Sequence, residues 1–316
     1  MSPIYLKEDE VNNLITVSEA INILENATIA RSEGKIWNQP RYRLPIRKGN
    51  YNFMSASWPE KNIVGHKSYT AGKNGASFHN MLYGCEGEGL LAIIESNRLG
   101  QIRTGAASGL ASKFLSRKSS STLGVIGTGY QSETQIEAIC SIREISKIKI
   151  FSRNKDKREI FKQKMTKILG DRIVISNSLA EVSDGIDILV TITNSVTPVI
   201  TSDMIFEGLH INAAGNNSWM KSEIDIEAFN RFNIVVTDDI DQSKIECGEL
   251  IRAVERGYFS WDKVIQLDSV ISGSVQGRKS NRDITLFESQ GIALEDLAVS
   301  EFVYKRAIQN NIGLQI

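Results

Sequence analysis

A glycine turn lies near the middle of the 316-residue chain, in the run Gly127-Thr128-Gly129-Tyr130-Gln131-Ser132. The apolar run 123–126 precedes it, and a segment with helical periodicity begins near Gln131. In that setting the turn lets backbone N–H groups and the helix N-terminus face a pyrophosphate. Ser132 replaces a third glycine and is small enough for the helix to pack closely on the strand. The pattern predicts a nicotinamide dinucleotide site, with a purely structural turn as the alternative.

The end of the next predicted strand indicates which dinucleotide is bound. An acid there would hold the ribose 2′-hydroxyl of NAD, whereas Arg or Ser accommodates the 2′-phosphate of NADP. The strand 147–151 is followed by Ser152-Arg153-Asn154-Lys155, which contains no acid. These residues favour NADP(H) over NAD(H). The alternatives are that they are simply solvated, or that Arg153 stacks on adenine in either cofactor.

Two later strand ends carry polar or small residues, Thr193-Asn194-Ser195 and Ala214-Gly215. Ligands of parallel sheets bind beyond the carboxyl ends of the strands. We therefore expect these residues to bind the ribose and the nicotinamide, although ordinary loop polarity would give the same composition.

Three basic residues, Arg41, Lys67 and Arg103, could bind a small carboxylic acid. Hydride transfer to or from an amino or imino acid needs cations that fix the carboxylate and a proton donor or acceptor near the C–N bond. Each residue lies in or at the end of a β-like run, from which its side chain can project into a cleft. Taken alone, each could equally be a surface charge.

The other reactive side chains form no recognisable site. The histidines and cysteines lack the spacing of a metal site, and we expect no bound metal: His66, His79 and His210, with Cys85, Cys140 and Cys247. Neither a nucleophile motif of the Gly-x-Ser-x-Gly type nor a Walker sequence is present.

The segments that must position these residues show two different patterns of secondary structure. From about 40 to 103, short β-like runs separated by glycines predict a largely antiparallel sheet. The small-residue segment 104–115 has helical periodicity, and the polar segment 116–121 marks a domain boundary. From Thr122 onward, six strand-like runs alternate with helices, and the chain is helical again from about Leu294. The pattern predicts an α/β fold with a Rossmann-type, doubly wound parallel sheet and a second, α+β domain.

The composition excludes several classes of protein. Lys plus Arg and Asp plus Glu both number 37, so the net charge is zero. A general nucleic-acid or anionic-membrane binder would carry a basic excess. Scattered cysteines, the lack of an apolar N-terminal signal and the lack of an apolar run of about 20 residues predict a cytoplasmic protein.

Taken together, the motifs make the chain resemble the ornithine cyclodeaminase / μ-crystallin family. The matching segments run through the chain in one order: Pro40-Arg41, Gly65-His66-Lys67, Arg103-Thr-Gly-Ala-Ala107, Val125 to Gln131, Ser152-Arg153, Thr193-Asn194-Ser195, His210 to Gly215, Glu223-Ile-Asp225, Val236 to Asp239, Gly277-Arg278 and Ile284 to Gly291.

The resemblance implies a substrate-binding and dimerisation domain formed by residues 1–118 and 294–316, and a dinucleotide-binding domain formed by 119–293. It also implies a homodimer. Arg41, Lys67 and Arg103 would bind the substrate carboxylate, and Lys67 would assist proton transfer. The family includes ornithine cyclodeaminases, alanine dehydrogenases and ketimine reductases.

One departure from the family pattern bears on the reaction. The cyclodeaminases carry an acid in the loop after the His-Ile-Asn strand, whereas this chain has Asn217 there. A neutral amide cannot act as a base or balance the charge of a substrate ammonium group. We therefore expect an NAD(P)H-dependent imino-acid reductase. The alternatives are an alanine-type dehydrogenase, an ornithine cyclodeaminase and a dinucleotide-binding protein without catalysis.

Overall fold

The computed structural model describes residues 2–72 and 75–316. The chain divides into two compact units, which we call unit 1 (Met1–Ala106 with Gly291–Ile316) and unit 2 (Ala107–Gln290). The first division falls within one continuous helix, Asn97–Leu115. The compact units thus divide at 106/107 and 290/291, whereas the domains 1–118 with 294–316 and 119–293 stay a prediction. The polar segment 116–121 connects that helix to the following strand inside unit 2.

The described part of unit 1 contains seven strands, three α-helices besides the long helix α3, and a C-terminal strand. In chain order these are β1 (Ile4–Leu6), α1 (Glu8–Leu14), α2 (Val17–Ser32), β2 (Trp37–Asn38), β3 (Tyr42–Ile46), β4 (Gly49–Trp58), a 3-10 turn (Pro59–Lys61), β5 (Ile63–Gly72), β6 (Gly75–Gly84), β7 (Gly89–Glu95), α3 (Asn97–Leu115), α10 (Ala293–Asn310) and β16 (Leu314–Gln315).

The strands of unit 1 form one sheet in the order β16-β1-β7-β6-β5-β4-β2, with β3 also paired to β4. All of its pairs are antiparallel except β1 with β7, as the glycine-separated runs predicted. Helix α10 packs against β4, β5 and β6. Alternate residues such as Met54, Lys67 and Asn80 are buried on these strands, because successive side chains of a strand point to opposite faces.

Unit 2 alternates strands and helices. In chain order these are β8 (Thr122–Ile126), α4 (Ser132–Ile142), β9 (Lys147–Phe151), α5 (Lys155–Leu169), β10 (Ile173–Ile175), α6 (Leu179–Ser183), β11 (Ile188–Thr191), β12 (His210–Ala213), β13 (Ile234–Thr237), α7 (Ile240–Glu246), α8 (Gly248–Glu255), β14 (Val264–Gln266), α9 (Leu267–Ile271) and β15 (Thr285–Glu288), with 3-10 turns at Ser202–Met204, Ile226–Arg231 and Trp261–Lys263.

The sheet of unit 2 has the order β10-β9-β8-β11-β12-β15-β13-β14, and every described pair is parallel. Leu189 joins one buried apolar cluster, whereas its neighbours Ile188 and Val190 join another. The sheet is therefore covered on both faces. This is the doubly wound arrangement that the sequence predicted.

The chain reverses direction across this sheet between β8 and β11. After β8 it proceeds outward through β9 and β10, and then returns to place β11 on the other side of β8. Such a switch point leaves a crevice beyond the carboxyl ends of the two central strands, which is where open α/β sheets bind ligands.

Several segments differ from the sequence-based expectation, among them the unpredicted strands β1, β14 and β16. Strand β15, which lies between β12 and β13, was not predicted, because four residues in a short mixed run carry no clear period. Helix α3 begins at Asn97, whereas the β-like pattern was extended to 103. Arg103 therefore lies on a helix and not at the end of a strand. Among the described residues, no helix combines the length and the apolar character needed to span a membrane.

Candidate functional site

The three basic residues selected from the sequence meet one end of α10 in unit 1. Lys67 Nζ donates to Asp296 Oδ1 at 2.9 Å. Arg103 donates through Nε to the same oxygen at 3.3 Å and through Nη1 to Glu295 Oε2 at 2.9 Å. Arg41 Nη2 donates to the backbone carbonyl of Gly291 at 2.9 Å. The contacts form a network, which we call the cation cluster: Arg41, Lys67 and Arg103 with Glu295 and Asp296.

Strand register and one glycine bring these side chains together. Lys67 pairs with Met54 on one side and Asn80 on the other, and all three are buried on the sheet. Gly291 adopts a φ of +73°, and a Cβ there would lie 2.4 Å from Arg103 Nη1. Glycine is suited to both conditions, so the chain can turn into α10 directly beside the two arginines.

Burial and mutual charge set the protonation of the cation cluster. Burial lowers the pKa of the Lys67 amine to about 8; Asp296 opposes this shift, whereas the charges of Arg103 and Arg41 add to it. Burial acts to raise the pKa of Asp296, but Arg103 and Lys67 outweigh it and hold that pKa below its usual value. Burial acts to lower the pKa of Arg103, but Asp296 and Glu295 outweigh it and raise that pKa above its usual value.

The cluster therefore brings three basic side chains and two carboxylates together in a buried setting. A buried cation is stabilised by an anionic partner. The carboxylate of a small acid could pair with these cations, and the Lys67 ammonium can supply a proton near neutral pH. Sequence reasoning missed Glu295 and Asp296, which only the acidic start of a helix could have indicated.

The glycine turn of unit 2 lies at the switch point of its sheet. Gly127 follows β8 with a φ of +117°, and a Cβ at this position would lie 2.3 Å from the carbonyl oxygen of Ile192. The turn is thus held against the segment that follows β11. A Cβ at Gly129 would meet nothing within 4 Å, and Tyr130 is half-exposed, so one side of the turn is open. Helix α4 begins at Ser132, whose hydroxyl donates to the Gly127 carbonyl at 3.0 Å.

These features fit a dinucleotide pyrophosphate, because the open turn leads into a helix N-terminus. The hydroxyls of Thr128 and Ser152 lie 2.8 Å apart, which joins the turn to the end of β9. Arg153 follows as an exposed residue, and no acid occurs in the segment 152–155. Gln131 precedes the first turn of α4.

A buried carboxylate ties the other two predicted strand ends together. Glu223 accepts hydrogen bonds from the backbone N–H of Thr193 at 2.7 Å and from that of Gly215 at 2.8 Å. The Ser195 backbone N–H donates to Thr193 Oγ1 at 3.1 Å, and the Ala214 backbone N–H donates to the Thr191 carbonyl at 2.9 Å. Asn194 is exposed between them. Sequence reasoning placed these strand ends together but did not find Glu223 as the residue that joins them.

The remaining sequence candidates lie elsewhere. Asn217 is exposed in the loop after β12. Burial lowers the pKa of His210 to about 3, and its ring shares a 2.9 Å hydrogen bond with Thr285, so it is a neutral core residue. Within the described ranges, no group of three or more potential metal-ligating side chains is found.

Two relatives match more than two thirds of the sequence. An alanine dehydrogenase from Archaeoglobus fulgidus is 34% identical, over 100% of this chain and 98% of the relative. A Δ1-pyrroline-2-carboxylate reductase from Bacillus cereus is also 34% identical, over 72% of this chain and 70% of the relative.

Two solved structures match the fold. Δ1-Pyrroline-2-carboxylate reductase from Thermococcus litoralis, in complex with NADH and L-proline, has a TM-score of 0.95 at 28% identity, covering 99% of this chain and 100% of that one. An archaeal alanine dehydrogenase dimer with bound NAD has a TM-score of 0.94 at 32% identity, covering 100% and 99%.

The family model for the ornithine cyclodeaminase/mu-crystallin family matches residues 1–311. The resemblance inferred from the motifs is therefore confirmed, as is the predicted fold class: the chain belongs to the ornithine cyclodeaminase/mu-crystallin family.

Proposed function

We propose that the chain is an NAD(P)H-dependent imino-acid reductase. Its substrate is a cyclic ketimine such as Δ1-pyrroline-2-carboxylate, or an imine formed from a 2-oxo acid and an amine. The observation that carries the proposal is the cation cluster, in which three basic side chains meet in a buried setting and the pKa of the lysine is about 8. Relatives described as imino-acid reductases support it.

In this proposal Arg41 and Arg103 bind the substrate carboxylate. The Lys67 ammonium lies in the same cluster and donates the proton that the imine nitrogen gains on reduction. Asp296 holds both Lys67 and Arg103 through one oxygen. A nicotinamide dinucleotide, when bound, would supply the hydride for the imine carbon. The residues of unit 2 that would hold it are Gly127 to Gln131, Ser152, Arg153, Thr193 to Ser195, Ala214 and Gly215.

Purified protein tests this assignment directly. With Δ1-pyrroline-2-carboxylate and NADPH or NADH, we expect consumption of the reduced cofactor and formation of proline. Lys67→Met or Arg103→Met should lower kcat/KM by roughly a hundredfold, since each removes a cation proposed to bind the substrate carboxylate or to donate the proton, while dinucleotide affinity changes little. Lys61→Met is the matched control, because Lys61 also pairs with a carboxylate of α10, Glu301, but is partly exposed. Full activity in both cluster variants would refute the assignment.

The cofactor preference is a separate proposal. We infer that NADP(H) is favoured over NAD(H), because Ser152 and the exposed Arg153 follow β9 and no acid is present there to hold a ribose 2′-hydroxyl. The relatives with bound cofactor are described with NADH or NAD. Arg153→Ala should raise the KM for NADPH by about tenfold, the worth of one charge-assisted hydrogen bond, and leave that for NADH within about twofold. Equal effects on both would contradict the preference.

We also propose a homodimer formed through the face of the unit 1 sheet that carries Phe53, His66 and Tyr83. The ring centroid of His66 lies 4.9 Å from that of Phe53 and 5.9 Å from that of Tyr83. Phe53 is 37% exposed. A second copy would cover this face, and an archaeal alanine dehydrogenase of the same fold is described as a dimer. Phe53→Glu should halve the mass measured by light scattering. Ile160→Glu, at an exposed apolar residue of α5, is the control.

An alanine-type dehydrogenase is the second candidate, favoured by 34% identity over the whole chain. Pyruvate with ammonia and NADH distinguishes the two, because a dehydrogenase would reduce this pair faster than a preformed cyclic ketimine. Ornithine cyclodeamination is disfavoured by Asn217, and would appear as proline and ammonia formed without net NADH. Tight dinucleotide binding without turnover of any imine or amino acid would indicate a binding protein.

A further inference from the structure

Glu223 is fully buried, and its side chain accepts hydrogen bonds from residues that precede it in the chain. Its Oε1 accepts from Thr191 Oγ1 at 2.7 Å, from the Thr193 backbone N–H at 2.7 Å and from Thr193 Oγ1 at 2.6 Å. Its Oε2 accepts from the Gly215 backbone N–H at 2.8 Å. Four donors converge on two oxygens. Burial raises the pKa of the Glu223 carboxyl above its usual value, and these hydrogen bonds oppose that shift.

These donors belong to the ends of two neighbouring parallel strands. Thr191 ends β11, Thr193 lies just beyond it, and Gly215 lies just beyond β12. Gly215 permits the approach, because a Cβ there would lie 2.4 Å from Glu223 Oε2 and 2.4 Å from the Thr193 nitrogen. One carboxylate therefore sets the separation of both strand ends at the switch-point side of the sheet.

The loop between Gly215 and Glu223 is fastened from its other side as well. Arg252 on α8 donates to the carbonyl of Trp219 at 2.6 Å and to that of Lys221 at 2.7 Å. A Cβ at Gly248 would lie 2.2 Å from the Lys221 carbonyl oxygen, so α8 begins in direct contact with the loop. In this loop Asn217 is exposed, whereas the backbone N–H of Gly215 is bound to the buried Glu223 side chain.

We propose that Glu223 is a positioning residue for the dinucleotide: it fixes the segments 193–195 and 214–215 in the arrangement that binds the cofactor. This inference rests on the proposed dinucleotide-binding function and assigns no contact between Glu223 and substrate. The chemical reason is that the backbone N–H groups of Thr193 and Gly215 are held by hydrogen bonds to the two oxygens of one buried side chain.

The chain contains a matched control at the opposite end of the same strand. Asp187 precedes β11 and accepts from the Ser121 and Thr122 backbone N–H groups at 2.7 and 2.9 Å, from Thr122 Oγ1 at 2.8 Å, and from Arg117. It joins the amino ends of β8 and β11, where parallel sheets do not bind ligands. A purely structural carboxylate would behave like Asp187.

The test is a fluorescence titration of NADH and NADPH into wild type, Glu223→Gln and Asp187→Asn, with thermal unfolding of each. We expect Glu223→Gln to weaken dinucleotide binding by roughly ten- to a hundredfold, because an amide NH2 replaces one of the two oxygens that accept from the strand ends. The KM for the imino acid, which is set by the cation cluster, should change by less than about threefold. Asp187→Asn should lower Tm and leave dinucleotide affinity unchanged.

Thr191→Val provides a milder second variant if Glu223→Gln does not fold. It removes one buried donor to Glu223 and should weaken dinucleotide binding by about threefold to tenfold. Wild-type affinity in Glu223→Gln, or in Thr191→Val where only that variant folds, would overturn the inference. Equal loss of affinity in Glu223→Gln and Asp187→Asn would also overturn it. Because binding is measured without turnover, a wild-type protein that binds dinucleotide but reduces no imine would refute the proposed reaction alone, whereas one that binds no dinucleotide would refute both proposals.

Discussion

Asp296→Asn provides a test of the proton donor assigned to Lys67. The Lys67 amine lies 2.9 Å from Asp296 Oδ1 in a fully buried setting, and burial lowers its pKa to about 8 while Asp296 opposes that shift. An opposite charge within hydrogen-bonding distance moves a pKa by about 1–3 units. Asp296 is shared with Arg103, so we take about 1–2 units for its effect on Lys67. Removing the carboxylate charge should therefore lower the pKa of Lys67 to roughly 6–7.

The consequence is a shift in the pH dependence of reduction. At pH 8 about half of the wild-type enzyme carries the Lys67 ammonium, whereas in Asp296→Asn the fraction falls to between about one in ten and one in a hundred. The alkaline limb of the kcat/KM profile should move to lower pH by about 1–2 units. The same substrate is used for both enzymes, so its own titration affects both profiles equally.

Glu295→Gln is the control for this experiment. Glu295 contacts Arg103 at 2.9 Å, so its loss should lower the amplitude of the profile through carboxylate binding and leave the limb in place. An unmoved limb in an active Asp296→Asn enzyme would refute Lys67 as the proton donor. An equal displacement in Glu295→Gln would show that general charge, and not the Lys67–Asp296 contact, sets the limb.

Three further predictions concern unit 2. Gly127→Ala should abolish dinucleotide binding in titrations, because its Cβ would lie 2.3 Å from the Ile192 carbonyl oxygen at a φ of +117°; retained affinity would contradict the placement of the turn. Asn217→Asp should raise kcat/KM for proline formation from ornithine about tenfold, by supplying a partner for the distal ammonium; no gain would show that this loop does not select the substrate. Burial, and then the charge of Glu223, raises the pKa of Glu249 from 4.5 to about 7. Protonated Glu249 stabilises the fold fully below pH 4.5, and this contribution is lost as the pH rises through 7. In urea unfolding, the free energy of unfolding of Glu249→Gln should therefore exceed that of wild type by up to about 3 kcal/mol at pH 8, and by much less at pH 5.

The features that the sequence predicted correctly depend on short stretches of chain. The strand, glycine turn and helix around Gly127 are contiguous, and the turn needs a backbone conformation that glycine adopts readily. The alternation of strands and helices after Thr122 likewise follows from local periodicity. Strand β15 was missed because its place between β12 and β13 depends on pairing partners, and its four residues give no period of their own.

The candidate site shows where sequence reasoning stops. Arg41, Lys67 and Arg103 could be selected from the chain by type and family resemblance, but each could equally have been a surface charge. Arg103 was assigned to the end of a strand, whereas it projects from α3. A charged residue has the same appearance in sequence whether it is solvated or buried.

The sequence by itself thus determined the two patterns of secondary structure, the glycine turn and the set of basic residues. The tertiary structure decided which anions hold those cations. Lys67 and Asp296 are 229 residues apart in sequence, and Arg103 and Glu295 are 192 apart. Glu223 similarly joins two strand ends through atoms 30 and 8 residues away. The pKa of Lys67 depends on these neighbours and on burial, and both are fixed only when the sheet and α10 pack together.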